Sequence, residues 1–288
     1  MSTAYIGTSA FAAVVLEALA DSPHRPALVI TRPPRPKGRG LRVAPTAVAE
    51  TAARLGIELL TPARLEEAGP ALERAAPDVV CVCAYGALVR EPLLSQYELL
   101  NVHPSLLPRW RGAAPIERAI IAGDDQSGVS LMRLVAELDA GPVCAQEAVA
   151  IGPTDSFGVL ADRLAAIAAR LLVQTLDGPR VYLPQTEDGV SYAAKISAAD
   201  RILDPARSAV ELERLVRALH PHIGARLPDG LGVSEAKVAE EAVPAGELAL
   251  SDRRLLFGTA DDALELVRVK PPGGREMDAA SFVRGHAV

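Results

Sequence analysis

The chain has 288 residues, of which 49% are hydrophobic and 23% charged, with a formal net charge of -6. Those proportions suit a soluble globular protein with a sizeable core, either one large domain or two, and exclude a low-complexity or disordered chain. A negative total argues against non-specific nucleic-acid binding by the whole surface and leaves room for a local basic patch.

No apolar stretch approaches the roughly 18 residues needed to span a bilayer. The opening MSTAYIGTSAF has neither a basic leader nor a cleavable apolar run, so a cytoplasmic address is expected. Cys81, Cys83 and Cys144 form no paired framework and suit a reducing compartment. Cys81 and Cys83 lie in the apolar run DVVCVCA with no histidine nearby, which reads as buried strand, and no metal is expected.

Residues 4–7 predict a strand, followed by the N-cap residues Thr8 and Ser9 and the helical AFAAVVLEALADS. The lone glycine at that turn is far from a dinucleotide fingerprint. PALVIT predicts a second strand. TRPPRPKGRGLRVAP, residues 31–45, then carries Arg32, Arg35, Lys37, Arg39 and Arg42 with no acidic residue. Its prolines and glycines predict an exposed loop, either merely solvated or phosphate-binding; five clustered cations favour a polyanionic partner. A helix over 46–55, a strand at GIELL and the helical ARLEEAGPALERAA follow, before VVCVCAYG, which is apolar without alternation, as in a central strand. Strands alternating with helices indicate a doubly wound, mostly parallel, Rossmann-like sheet.

The stretch NVHPSLLPRWRGAAP, Asn101 to Pro115, closes the apolar run ELL with an amide, an imidazole and the single Trp of the chain. Asn101 and His103 stand two apart on an extended segment, so both side chains leave one face at a strand end, where open α/β sheets bind ligands. PIERAIIAGDD then predicts a helix with Pro115 in its first turn, and two β-rich runs flank Glu137 to Gly141. Asp139 in that turn is either a turn-former or a carboxylate aimed at the site. TDSFGVLADRLAAIAARLLVQTLDG is the longest helical pattern, after which residues 190–205 read as a linker between a domain over 1–189 and a smaller one over 206–288. The latter combines one helix with closely spaced short strands, as in a small barrel or sandwich.

An Asn, a His and an Asp at the end of a parallel sheet suit acyl-type transfer. Asn101 can donate to a developing oxyanion, His103 can exchange protons, and Asp139, if close, can orient the ring. Ser105 lacks the turn of a serine nucleophile, so direct attack by a substrate amine is expected.

NVHPSLLPRWRGAAPIERAI and LDAG, with RPKGRG, IGTSAF and YAAKISAADRILD, resemble the folate-dependent formyltransferases, in particular their tRNA-directed branch. The resemblance implies formyl transfer from 10-formyltetrahydrofolate to the α-amine of methionine on initiator tRNA; no metal is expected, and nothing in the sequence demands more than a monomer. It implies catalytic roles for Asn101, His103 and Asp139, and a folate pocket formed by Ala84, Tyr85, Gly86, Leu88, Ser105, Leu106, Leu107, Pro108 and Asp139. It also implies tRNA contacts from Arg35, Lys37, Arg39, Arg42 and Lys195, and an OB-like barrel for the C-terminal domain. Trp110 is then a wall residue. The alternatives are formyl transfer to a small amine such as an amino sugar nucleotide, or an inactive RNA-binding relative; the basic loop and the retained trio favour the tRNA-directed enzyme.

Overall fold

The computed structural model describes residues 1–37 and 42–285; of Pro36, Lys37 and Arg42 it describes the backbone alone. The first elements are β1 (Thr3–Gly7), α1 (Ala10–Ala20), β2 (Pro26–Ile30), β3 (Arg35–Lys37), β4 (Arg42–Ala44), α2 (Ala47–Leu55) and β5 (Glu58–Leu60). They are followed by α3 (Gly69–Ala75), β6 (Val79–Cys83), α4 (Leu93–Gln96), β7 (Leu99–His103), β8 (Arg111–Gly112), α5 (Pro115–Ala122), β9 (Gln126–Arg133) and β10 (Val143–Ala150). Then come α6 (Phe157–Leu176), β11 (Tyr192–Ala193), α7 (Ala209–Leu219), β12 (Ala225–Arg226), β13 (Gly232–Ala239) and β14 (Leu248–Ser251). The last are β15 (Arg254–Gly258), β16 (Ala263–Lys270), β17 (Met277–Asp278) and α8 (Ala279–Gly285).

Two compact units result. One comprises Met1–Ala113, Ser127–Val149 and Ala161–Ala193; the other comprises Ala114–Gln126, Ala150–Leu160 and Ala194–Val288.

The first unit is built on a seven-stranded sheet in the order β10-β9-β7-β6-β1-β2-β5. The pairs β1/β2, β1/β6, β2/β5 and β6/β7 are parallel, whereas β7/β9 is antiparallel. Every residue of β1, β6 and β7 is buried, the burial that their unbroken apolar runs require. Ile6, Leu28, Ile30, Leu72, Val80, Val82 and Leu99 form one core cluster of this sheet. Cys81 and Cys83 are buried strand residues, and burial pushes both thiols up to about 12. Gly7 closes β1 because space is short there: a Cβ would stand 2.9 Å from the Cys83 carbonyl oxygen. Ser9 and Thr46 cap α1 and α2 by accepting from Ala12 N–H and Ala49 N–H.

Two segments of this unit depart from their sequence patterns. Where composition indicates an open loop over 31–45, β3 and β4 instead pair antiparallel, with Pro36 opposite Val43. A two-stranded ribbon has only edges, so a residue without an N–H is tolerated there. ARLEEAGPALERAA is not one helix: a short 3-10 turn over Leu65–Ala68 precedes α3, with Pro70 in the first turn of α3 where its missing N–H costs nothing.

After α6 the chain returns along the sheet as a strap. Glu98, just before β7, accepts from Arg180 Nε and Nη2 at 2.9 and 3.0 Å and from the Tyr182 hydroxyl at 2.6 Å. The Arg133 guanidinium lies 4.3 Å from the centre of the Tyr182 ring. Val143 and Leu183 exchange backbone hydrogen bonds of 2.8 and 2.9 Å, which carries the strap along the start of β10.

The second unit contains α5, α7 and α8 and an antiparallel sheet in the order β12-β13-β16-β15-β14, with β17 on β16. This is the small β domain that the closely spaced short strands predict. A capping box between Ser208 and Glu211 starts α7, whose Leu212, Leu215 and Leu219 join Phe257, Leu264 and Leu266 in the core. His222 stacks on Phe157 and its Nε2 lies 2.9 Å from Glu117 Oε1.

The strap carries a pH signature. Hydrogen bonds from Arg180 are the main cause that holds the Glu98 carboxyl below the usual carboxylate range. Its stabilisation is therefore complete above the unfolded value of about 4.3 and is lost as pH falls through the lower folded value. In urea unfolding, Glu98→Gln is expected to lower stability most near about pH 7, with the difference from wild type shrinking towards about pH 3. A difference that stays constant across that range contradicts the assignment.

Candidate active site

The site grows out of the C-terminal end of β7. Asn101 pairs in register with Val82 of β6 on one side and Met132 of β9 on the other, and His103 lies opposite Ser130. Both side chains are nearly enclosed, at 9% and 4% exposure for the two residues. Strand alternation turns them to one face. Among the described residues the Asn101 amide has no side-chain hydrogen bond, so its N–H groups are available to a ligand.

The imidazole is oriented from both sides. His103 Nε2 lies 2.9 Å from the Trp110 carbonyl oxygen, which can only accept, so Nε2 carries a hydrogen. Nδ1 then faces Asp139 Oδ2 at 3.7 Å. That oxygen also accepts from Gly112 N–H at 2.8 Å. Asp139 sits in the turn between β9 and β10 with a φ of 48°, and its side chain is 12% exposed. Asp139 thus belongs to the turn and faces the ring at the same time.

Trp110 contributes through its backbone as much as through its ring. It is held at a φ of 64°, a conformation that costs a non-glycine residue about 1–3 kcal/mol and persists only where the surroundings enforce it. Its N–H donates to Ser191 Oγ at 2.9 Å, and Arg111 N–H and Ala113 N–H donate to the Ser191 and Ala193 carbonyls at 2.9 Å each. The short parallel pair β8/β11 results. The Arg109 guanidinium lies 4.5 Å from the centre of the Trp110 ring.

The turn after β7 is pinned to β9. Ser130 Oγ donates to the Ser105 carbonyl at 2.6 Å and accepts from Leu107 N–H at 3.0 Å, while Gln146 Nε2 donates to the Leu107 carbonyl at 2.8 Å. Ser105 is buried and its hydroxyl donates to the Arg109 carbonyl at 2.6 Å. That bond uses the hydroxyl's one hydrogen within the turn. Leu106, Leu107 and Pro108 continue that turn.

Ala84 to Leu88 leave the end of β6, beside β7. Ala84 and Gly86 have φ of 42° and 73°, and the Tyr85 and Gly86 carbonyls accept from Thr8 Oγ1 and Arg32 Nη1 at 3.1 and 2.8 Å. Leu88 is 62% exposed. Arg35 is exposed on the ribbon, Arg39 lies outside the described residues, and the Lys37 and Arg42 side chains are likewise not described. Lys195 is exposed in the second unit. The structure therefore gathers Asn101, His103 and Asp139, with 84–88 and 105–108 on neighbouring strand ends. Among the described residues no cluster of His, Cys, Asp and Glu could hold a metal ion. Arg111 and Gln185, which pair beside Asp139, escape sequence reasoning because neither belongs to a spaced pattern.

At Gly112 a Cβ would stand 2.8 Å from the Ala193 carbonyl, and φ is 122°. Gly112→Ala is expected to lower the thermal unfolding midpoint, at a cost of about 1–3 kcal/mol. An unchanged midpoint contradicts the tight β8/β11 approach.

Comparison with known proteins bears on what this arrangement does. The family described as Formyl transferase matches residues 1–176, and the Formyl transferase, C-terminal domain, matches residues 195–287. The methionyl-tRNA formyltransferase of Halorhodospira halophila is 42% identical over 99% of this chain and 96% of its own length. Among solved structures, the N-formyltransferase from Helicobacter canadensis, in complex with folinic acid and dTDP-3-aminofucose, superposes with a TM-score of 0.71 at 15% identity over 92% of this chain and 98% of that one. HypX from Aquifex aeolicus, in complex with tetrahydrofolic acid, superposes at 0.66 and 17% identity over 98% of this chain, which spans 46% of HypX. At such identities the two structures speak for the fold alone. The two family matches and the full-length relative reach further: the chain belongs to the formyl transferase family.

Proposed function

We propose that the chain transfers the formyl group of 10-formyltetrahydrofolate to the α-amine of methionine esterified on initiator tRNA, acting as a monomer in the cytoplasm. The observation that carries this reading is the convergence of an available amide at Asn101 with a ring and carboxylate, His103 and Asp139, 3.7 Å apart. The 42% identity to a methionyl-tRNA formyltransferase over nearly the whole chain supports the acceptor.

Both reactants are consumed, so both are substrates. The methionine nitrogen attacks the formyl carbon, and the carbonyl oxygen gathers negative charge, to which the Asn101 amide donates; such a donor contributes about 10²–10³ in rate. Collapse breaks the bond from that carbon to N10 of the folate. One proton leaves the attacking nitrogen and one arrives at N10, so the exchange balances, and His103 Nδ1, backed by Asp139, is the atom suited to carry it. No serine or cysteine is required as an intermediate carrier of the formyl group.

The folate side fits the end of β6. Anchored carbonyls at Tyr85 and Gly86 leave a rigid backbone rim, and exposed Leu88 with the Leu106–Pro108 turn offers apolar surface to a flat heterocycle. We assign Arg35, Lys37, Arg39 and Arg42 to phosphates of the acceptor end, and Lys195, in a linker over 190–205, to the same RNA. A small acceptor would not need so many cations.

Three measurements test the reading. Formylation of methionyl initiator tRNA is expected to exceed that of methionyl elongator tRNA and of a free amino sugar nucleotide; a preference for the sugar overturns the acceptor assignment. His103→Ala and Asp139→Asn are each expected to slow single-turnover formylation by about 10²–10⁴ with tRNA affinity nearly unchanged, and undiminished turnover in either refutes its role. Arg39→Ala is expected to weaken tRNA binding and to flatten the plot of log affinity against log salt by about one unit, without changing the affinity for a folate analogue. Loss of the folate analogue instead would move Arg39 to the folate side.

A further inference from the structure

Asp139 presents its carboxylate from a turn whose own backbone sits at a φ of 48°, so the turn needs an external hold. Gln185 supplies it from the strap. Its Oε1 accepts from Arg111 Nε and Nη2 at 3.0 and 2.8 Å, and its Nε2 donates to the Asp139 and Gly141 carbonyls at 2.8 Å each. A primary amide has two donor hydrogens and two acceptor lone pairs, and here all four are used. The adjoining residue, Gly112, donates its N–H to Asp139 Oδ2 at 2.8 Å. The dipeptide Arg111–Gly112 therefore holds Asp139 twice: through Gln185 at the main chain, and directly at the carboxylate.

We infer that Gln185 is a positioning residue for the reaction, fixing the Asp139 turn against buried Arg111 and so setting the carboxylate relative to His103. This role rests on the reading of the site given above. Gln185 is delivered by a rigid segment, because Arg180 and Tyr182 are tied to Glu98 and Leu183 pairs with Val143. Its chemistry is specific to an amide. Glutamate would keep the Arg111 contacts and lose both N–H donors, setting a carboxylate against two carbonyl oxygens. Asparagine is one methylene too short to span Arg111 and the turn together. A displaced catalytic group costs rate rather than binding, since an error of about 1 Å can cost about 100-fold.

The test combines Gln185→Ala and the isosteric Gln185→Glu, alone and on Asp139→Asn, in single-turnover formylation and steady-state kinetics. The expected result is a fall in kcat of about 10–100-fold for each single variant, with KM for both substrates within about threefold. On the Asp139→Asn background the same changes are expected to cost less than about threefold, because the group they position is already lost. A kcat within about threefold of wild type in folded Gln185→Glu, or losses that multiply fully with Asp139→Asn, overturns the inference. Wild-type enzyme that formylates no methionyl-tRNA would instead refute the reaction assigned above. Amide hydrogen exchange of residues 137–141 then decides the positioning role without substrate: faster exchange in Gln185→Glu sustains it, and unchanged exchange overturns it.

Discussion

The site depends on one hydrogen bond, from His103 Nε2 to the Trp110 carbonyl at 2.9 Å. A carbonyl oxygen has no proton to give, so the bond fixes a hydrogen on Nε2 and leaves Nδ1 facing Asp139. Its acceptor exists where it does because Trp110 is held at a φ of 64° between the turn after β7 and the β8/β11 pair. The bulky ring of Trp110 is thus secondary to the placement of its peptide. Strain of this kind is tolerated where neighbouring hydrogen bonds over-determine the backbone, and Ser191 supplies two, one through its Oγ and one through its carbonyl.

Two rigid sources converge on that ring. A fully buried strand between β6 and β9 brings Asn101 and His103, and the β9/β10 turn brings Asp139. The turn is not rigid by itself. It is made so by the strap after α6, which runs from the Glu98 cluster to the Gln185 amide. Polar groups withdrawn from water stabilise only if all are satisfied, and half-buried Gln185 meets that condition through its fourfold use. The same groups that shape the fold near β10 therefore also hold the Asp139 turn.

The architecture was legible where pattern and burial agree. Unbroken apolar runs at Tyr5 and Val79–Cys83 announced central parallel strands, and capping residues such as Ser9 and Thr46 announced helix starts. Asn101 and His103 could be paired from their spacing because a strand has a period of two. Asp139 could be proposed as partner but not chosen over a turn residue, since its distance from His103 depends on a contact between separate strands. Four features had no local signal at all. The β3/β4 ribbon is a pairing of two short strands in a proline-rich segment. Ser105 spends its hydroxyl on a backbone carbonyl, Trp110 acts through its own carbonyl, and Gln185 acts 46 residues away from the turn it holds. Each is a matter of which backbone atom faces which side chain, which composition does not encode.

In the proposed reaction the formyl group passes directly from folate nitrogen to the methionine amine, steered by Asn101, His103 and Asp139, with no formylated protein between. Rapid-quench experiments with formyl-labelled 10-formyltetrahydrofolate, run with and without methionyl initiator tRNA, test it most directly. The expected result is label on the methionine α-amine only when charged tRNA is present, matched by release of tetrahydrofolate, and none on protein at any time. Label accumulating on the protein in the absence of tRNA, or tetrahydrofolate released without labelled methionine, would contradict it.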